Sequence, residues 1–174
     1  MTSARELRLR ALVEQFTPQV GAYLRRRAYP LNDADVEELI QAVFTVAWKR
    51  LDAIPAGAER PWLIGVSRNV LNNARRSHSR RRNLHAKLTP RRDEPSAEDH
   101  AIANEQLRIA LRSLSEPDRE LLLLHYWEGL EATEIAPVLG IRPGAAATRL
   151  SRASARLRAS FEELRDGHVK TDAE

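Results

Sequence analysis

The chain contains no cysteine and few aromatic residues, and both shortages restrict what it can be. Without cysteine, disulfide bonds, cysteine-ligated metals and cysteine nucleophiles are excluded. Phe, Trp and Tyr make up 5% of the 174 residues, whereas strand-rich proteins use more aromatic and β-branched residues. No apolar run approaches the roughly 18 residues of a membrane span, and no secretory signal is visible. We therefore predict a soluble, cytoplasmic, all-α protein.

Motifs for catalysis and for nucleotide binding are also missing. The five histidines are scattered, and no pair of them has the HExxH spacing of a zinc site. The phosphate-binding patterns GxxxxGK[ST] and GxGxxG do not occur, nor does the nucleophile pattern GxSxG. We therefore expect no enzymatic activity, no cofactor, no metal and no small-molecule substrate.

Apolar residues recur at steps of three and four along most of the chain, which is the spacing of amphipathic helices. Proline and glycine modify this pattern. Pro18 and Gly21 predict a kink or break in the first helix, and Pro137 predicts a kink in a later one. Gly140 is a predicted C-cap. The predicted helices cover 4–27, 34–51, 61–82, 102–114, a segment from Ser115 to Gly129, 132–139 and 143–164.

A reversal of charge near the middle of the chain indicates a linker. Residues 75–92 contain eight Lys or Arg and no acid, and residues 93–105 contain five acids and no Lys or Arg. Prolines interrupt this stretch and its apolar periodicity is weak, as in a segment without a core. The predicted organisation is a domain over 4–82, a linker over 83–101, a domain over 102–165 and a polar tail over 166–174.

The stretch LGIRPGAAATRLSRASARL, residues 139–157, follows a short helix with a tight turn and a longer helix. This order is typical of a helix-turn-helix. Steps of four, three and four predict a buried face on the longer helix, formed by Ala146, Leu150, Ala153 and Leu157. Five arginines and no acid occur over 141–160, whereas solvated helices usually mix charges to form pairs. The pattern favours DNA contact over the alternative, a helical hairpin with a basic face.

Two helices in the first half carry further candidate surfaces. The helix over 61–82 ends polar and basic, and amides and guanidinium groups there can bind unpaired bases and phosphates. Its alternative interpretation is a core helix that runs into a basic linker, and Trp62 alone favours the core. The helix over 34–51 has an acidic first turn and an apolar stripe. It is either an amphipathic core helix or a partner surface that exposes Asp35, Glu38 and Gln41.

Three segments occur in a specific order: DADVEELIQAVFTVAW, RPWLIGVSRNVLNNARR and LRSLSEPDRELLLLHYWEGLEATEIAPVLGIRPGAAATRLSRASARLR. Together they resemble the extracytoplasmic-function class of bacterial sigma factors, over about 13–164. The family pattern has an acidic D-x-E-D-L-x-Q-x-x-F-x-x-x-W helix and an R-x-W-L-x-x-I-x-R-N helix. An L-P-x-x-x-R segment follows, and then a helix-turn-helix with E-I-A-x-x-L-G-I.

The resemblance implies two helical domains joined by a flexible linker, and a protein that binds core RNA polymerase and promoter DNA. The first domain would dock on the β′ clamp helices and open the −10 element; the second would contact the β flap and read the −35 element. An anti-sigma factor is also implied. Residues matching the docking helix are Asp35, Glu38, Leu39, Gln41 and Phe44. Residues matching the −10 and melting region are Arg60, Trp62, Arg68, Asn69, Asn72, Asn73 and Arg76. Residues matching the −35 helix are Arg142, Thr148, Arg149 and Arg152.

The chain departs from the family pattern at three places, and two other functions compete with the resemblance. Ala42 replaces an acid, Pro137 replaces a helix former, and 145–147 are alanines where the family often has Thr-Val-Lys. Loss of that lysine removes one possible phosphate contact.

A helix-turn-helix repressor or activator would need a dimerisation element, and none is apparent. An adaptor that binds another helical protein leaves the acid-free arginine face unexplained.

Overall fold

The computed structural model describes residues 3–28, 31–85 and 105–171, with side chains described as far as residues 80 and 165 in the last two ranges. Every regular element in these ranges is a helix, which confirms the predicted all-α class. The helices fall into two compact units, divided between residues 100 and 101. The predicted linker over 83–101 falls largely outside the described residues, although the first unit's last helix extends into its first three positions.

In its described residues, the first unit contains three α-helices and a short 3-10 helix. These are α1 (Ala4–Arg27), α2 (Asp33–Lys49), the 3-10 helix Leu51–Ala53 and α3 (Glu59–His85). Helix α1 has a capping box, in which the Ser3 side chain accepts from the Glu6 amide and the Glu6 carboxylate accepts from the Ser3 amide. Asn32 and Asp35 form the same arrangement at the start of α2. Each box satisfies amides that the helix leaves free at its first turn.

The three helices of the first unit pack against each other around one apolar core. Its centre consists of side chains that are at most 1% exposed: Val20, Tyr23, Leu24, Val36, Val43, Ala47, Leu51, Leu63 and Ile64. Arg27 is also buried, and its guanidinium lies 4.2 Å from the centre of the Tyr23 ring. The backbone carbonyl of Arg27 accepts from Arg75, so a polar link joins the end of α1 to α3.

Over residues 105–171 the second unit contains four helices, and the longest of them contacts the other three. They are α4 (Glu105–Ser113), α5 (Glu116–Tyr126), α6 (Ala132–Leu139) and α7 (Pro143–Thr171). Between α6 and α7, Gly140 has φ 67°, in the left-handed region where a side chain is strained. The predicted C-cap is therefore confirmed. Helix α7 continues to Thr171, so its predicted end at 164 is seven residues too early.

Prolines do not interrupt the helices that contain them. Helix α1 runs through Pro18 to Arg27 and α6 runs through Pro137 to Leu139. Of the predicted kink or break at Pro18 and Gly21, the break is therefore wrong, and the kinks at Pro18 and Pro137 stay predictions. Both prolines are exposed, so a carbonyl that loses its helical hydrogen bond can bind water instead. Glu131, a poor cap by residue type, is assisted by Glu134, whose carboxylate accepts from the Glu131 amide at 2.9 Å.

Candidate nucleic-acid interface

Helix α7 has one buried face, which fixes how the rest of it is presented. Ala146 and Ala153 are fully buried, and Leu150 and Leu157 pack against a cluster formed by Leu111, Leu114, Leu122 and Ala153. These are the four positions that the steps of four and three predict, so the predicted buried face is confirmed. Because one side of the helix is held by α4, α5 and α6, the opposite side projects into solvent along its whole first half.

Four arginines of the turn and of α7 share one sector of this exposed side. Arg142, Arg149, Arg152 and Arg156 are all exposed. At about 100° per residue, these four positions fall within roughly 80° of one another around the helix axis. The fifth arginine, Arg158, is also exposed but lies about 160° from Arg142, so four of the five charges share one edge of the exposed side. A surface of this kind suits an extended anion such as a nucleic-acid backbone.

The four arginines differ in how they are paired. Asp118, in the first turn of α5, lies with Oδ2 2.6 Å from Arg156 Nη2 and with Oδ1 3.6 Å from Arg149 Nε. The side chains of Arg142 and Arg152 have no hydrogen-bond or ion-pair partner within the part of the chain that the structure describes. Two cations of the face are therefore unpaired within the described residues, and the other two, Arg149 and Arg156, share one carboxylate.

Asp118 is a residue of this surface that the sequence reading did not assign to it. Asp118 follows Ser115 by three residues, which is the spacing of a helix-start signal. In the structure, however, the Ser115 hydroxyl donates to Asp118 Oδ2 at 2.7 Å and makes no cap bond to a backbone amide. The only signal in the sequence is an acid in the first turn of α5. Nothing local shows that this turn lies beside α7.

The alanines at the start of α7 and the neighbouring threonine offer few polar groups. Ala145 and Ala147 are exposed and Ala146 is buried. The Thr148 hydroxyl donates to the Gly144 carbonyl at 2.9 Å, so its proton is already used within the helix. Thr148 retains lone pairs and a methyl group for a ligand. The exposed side of this helix therefore depends mainly on its arginines for polar contacts.

In the first unit, the residues matching the −10 and melting region lie along α3 with different exposures. Asn69, Asn73 and Arg76 are exposed, whereas Trp62 and Asn72 are half-buried. Arg60 and Arg68 are half-buried, and each makes an interaction within the described chain. The exposed three recur at steps of four and three and share one side of the helix. The half-buried Trp62 fits both of its interpretations, a core residue and a residue that binds unpaired bases.

Helix α2 exposes two of its five candidate docking residues. Glu38 and Gln41 are exposed. Asp35 is half-buried, and its carboxylate accepts from the Asn32 amide at 2.9 Å. Leu39 and Phe44 are 8% and 9% exposed and belong to the core, which leaves little of either side chain for a partner to touch. Beside this surface, Glu37 pairs with Arg25 of α1 at 2.8 Å.

The N-terminus of α1 is tied to the end of α2 and to the segment that follows it. Arg5 pairs with Asp52, and its guanidinium lies 5.3 Å from the centre of the Trp48 ring. Arg8 donates to the Ile54 carbonyl at 2.9 Å. Trp48 remains 39% exposed. These contacts hold the first turns of α1 against the segment that connects α2 to α3.

Two protein-family models match this chain, one in each unit. The model described as sigma-70 region 2 matches residues 12–81, and the model described as sigma-70 region 4 matches residues 104–157. The first match contains α2 and most of α3, and the second contains the helix-turn-helix with its arginine face. Fold and site together define an RNA polymerase sigma factor of the sigma-70 type.

Curated relatives agree with this class. The chain is 35% identical over 132 residues to the probable RNA polymerase sigma factor RfaY of Xanthomonas campestris pv. campestris, covering 70% of this chain and 33% of that protein. It is 31% identical over 162 residues to the ECF RNA polymerase sigma factor SigL of Mycobacterium tuberculosis, covering 88% of this chain and 91% of the relative. The chain belongs to the extracytoplasmic-function family of RNA polymerase sigma factors, as its motifs predict.

A solved structure shows the same fold. The sigma factor RpoE from Bartonella quintana, crystallised with the anti-sigma factor NepR, superimposes with a TM-score of 0.60 at 20% identity, covering 88% of this chain and 96% of that one. Sigma factors of this family are not a class of enzymes. No helix in the described ranges is long and apolar enough to span a membrane.

Proposed function

We propose that this sigma factor divides promoter recognition between its two units. Residues 4–82 bind core RNA polymerase and the −10 element, and residues 102–165 bind the −35 element. Residues 83–101 link the two, and 166–174 form a tail. The observation that carries the proposal is the arginine face of α7, which is exposed in a helix-turn-helix and has no acid of its own over 141–160. Two modest DNA contacts joined by a linker gain affinity through effective concentration.

In the second unit, α7 enters the major groove of the −35 element and presents Arg142, Thr148, Arg149 and Arg152. Arg142 and Arg152 are exposed and lack a partner among the described residues, so they suit phosphate contacts. Thr148 offers a methyl group and hydroxyl lone pairs to a base edge. Few base-edge donors are present, so sequence-dependent DNA shape contributes to the selection of the promoter.

In the first unit, the polar side of α3 holds the non-template strand of the −10 element once it is unpaired. The residues proposed for this role are Arg60, Trp62, Arg68, Asn69, Asn72, Asn73 and Arg76. Exposed Asn69 and Asn73 suit the Watson–Crick edges of unstacked bases, and exposed Arg76 suits a phosphate. The partly exposed Trp62 ring suits stacking on a base.

The docking surface for core polymerase is the acidic side of α2. Glu38 and Gln41 contact the β′ clamp helices directly, because both are exposed. Asp35 contributes negative charge at the start of the helix, while Leu39 and Phe44 support the surface from the core. The second unit contacts the β flap. Since RNA polymerase acts on chromosomal DNA, the protein works in the cytoplasm.

An anti-sigma factor is the proposed regulator. This proposal rests on the family resemblance and on the fold shared with RpoE, which was crystallised with NepR. Such a partner has to cover the DNA-binding or polymerase-binding surfaces described above, since those are the surfaces through which the protein acts.

The test is multi-round transcription with purified core polymerase on genomic fragments, with and without this protein. We expect new start sites and a stable complex with core polymerase. Glu38→Ala should weaken that complex. Arg149→Ala should reduce −35 use and leave core binding intact. If no complex forms and no start site appears, the proposal is wrong. A protein that instead shifts short duplexes tightly without polymerase would be an operator-binding repressor or activator.

A further inference from the structure

The carboxylate of Asp118 sits against the arginine face in a defined geometry. Its side chain is 13% exposed, against 45% for Arg149 and 52% for Arg156. Oδ2 accepts from Ser115 Oγ at 2.7 Å and from Arg156 Nη2 at 2.6 Å. Oδ1 lies 3.6 Å from Arg149 Nε. With two donors on one oxygen, the carboxylate is held in place and its other oxygen is directed at Arg149.

The spacing of the two arginines explains why one carboxylate reaches both. Arg149 and Arg156 are seven residues apart, so they differ by only about 20° around the axis of α7. Both lie on the border of the exposed side that faces α5. The contact to Arg149 uses Nε. A guanidinium has five donors in a planar fork, so the edge formed by the two terminal nitrogens is not used by this contact.

The neighbouring carboxylate selects the type of acceptor that suits this edge. A DNA phosphate placed against Arg149 would also approach the negative charge of Asp118, and like charges at close range repel. A base edge is neutral and avoids this repulsion. Of the major-groove edges, guanine presents two acceptors, O6 and N7, with the spacing that an arginine fork matches. The pairing therefore disfavours a phosphate contact and favours a guanine contact at this position.

We infer that Asp118 is a specificity-determining positioning residue, which holds Arg149 so that it reads a guanine in the −35 element. The inference rests on the proposed function and deepens it. Asp118 does not touch the DNA and acts through Arg149. Ser115 and Arg156 serve to hold the carboxylate. Arg142 and Arg152 keep their role as contacts to the DNA backbone.

The test uses holoenzyme reconstituted from core polymerase and a promoter found with the wild-type protein. Initiation is measured on templates carrying every single substitution in the −35 element. The wild type should prefer G·C at one position by about 5- to 150-fold, the range for one bidentate contact. Arg149→Ala should remove this preference. Asp118→Asn should lower it at least about twofold, as coupling between contacting side chains predicts, and leave preferences at other positions unchanged.

Two further variants separate positioning from a structural role. In the Arg149→Ala background, Asp118→Asn should have no additional effect on base preference, because the side chain through which it acts is gone. Ser115→Ala removes a donor to the carboxylate without removing a helix-cap bond. It should lower the preference at the same base pair by a smaller factor. This second variant also covers the case in which Asp118→Asn fails to fold.

Three outcomes would overturn the inference. In the first, neither Asp118→Asn nor Ser115→Ala alters the preference. In the second, Arg149→Ala weakens initiation equally on all templates and flattens its salt dependence, as loss of a phosphate contact would. In the third, the wild type forms no complex with core polymerase and directs no initiation, which overturns the proposed function as well. Intact wild-type initiation together with the first or the second outcome overturns the inference alone.

Discussion

Ala147→Lys should strengthen promoter binding by adding one phosphate contact. Ala147 is exposed near the start of α7, so a lysine there has room and leaves the core intact. Around the helix axis it lies about 140° from the nearest of Arg142, Arg149, Arg152 and Arg156. A helix in the major groove runs between two phosphate backbones. The added ammonium therefore faces the strand on the side opposite to the arginine sector.

The size of the gain follows from counterion release. Each phosphate contact on duplex DNA makes the binding constant vary with salt concentration to a power of about −0.9. One added contact therefore raises affinity about 8-fold at 0.1 M salt and about 4-fold at 0.2 M. The ratio of the variant's binding constant to that of the wild type should therefore decline as the salt concentration rises. A gain from better packing would not depend on salt in this way.

The assay is competition between promoter fragments for reconstituted holoenzyme at four salt concentrations. Ala159→Lys is the matched control, because it adds the same charge to another exposed alanine of α7. That position is 12 residues further along, about 18 Å from Ala147 at 1.5 Å per residue, which exceeds a screening length of about 10 Å at 0.1 M salt. A ratio that does not change with salt, or an equal gain from the control, would refute the reasoning.

Three other predictions test the fold and the remaining surfaces. Gly140→Ala should lower the free energy of unfolding by about 1 kcal/mol, because φ is 67° there. Thermal melts measure this change. The control is Gly144→Ala, which lies in open space within α7 and should not lower the free energy of unfolding. Glu38→Ala should weaken core-polymerase binding without changing stability, whereas Phe44→Ala should cost about 3–5 kcal/mol of stability; equal melting of the two variants would contradict this. Asn69→Ala should slow promoter opening, which permanganate footprinting measures. An accompanying loss of core-polymerase binding would count against this role of Asn69.

The sequence was sufficient for the helices and for the buried face of α7. The bounds of α1 and α6 agree with prediction to the residue, because a 3.6-residue apolar period and capping residues are local properties of the chain. Helix ends were less predictable where no strong stop signal exists. Helix α7 continues past residue 164 to Thr171 and includes Gly167, and no proline follows Leu164 to stop it. The break predicted at Pro18 does not occur, because an exposed proline inside a long helix is tolerated when water can serve the freed carbonyl.

The candidate surfaces were less predictable than the helices. The docking helix illustrates the reason: its motif names five residues, yet Leu39 and Phe44 are buried in the core while Glu38 and Gln41 are exposed. A motif records which residue types occur together. Whether each one faces the core or a partner depends on which other helices cover the element, and that is a property of packing.

By itself, the sequence determined the helical class, the helix-turn-helix, the exposed arginines and the sigma-factor family, because each is written in residue types at short spacing. Only the tertiary structure decided how those arginines are used. Asp118 and Arg156 are 38 residues apart, and they meet because α5 packs beside α7. The interaction energy of two charges depends on their distance in space and becomes small beyond a few ångströms. A charge that looks like a helix-start signal in the sequence thus becomes the partner of two arginines on the exposed side of α7.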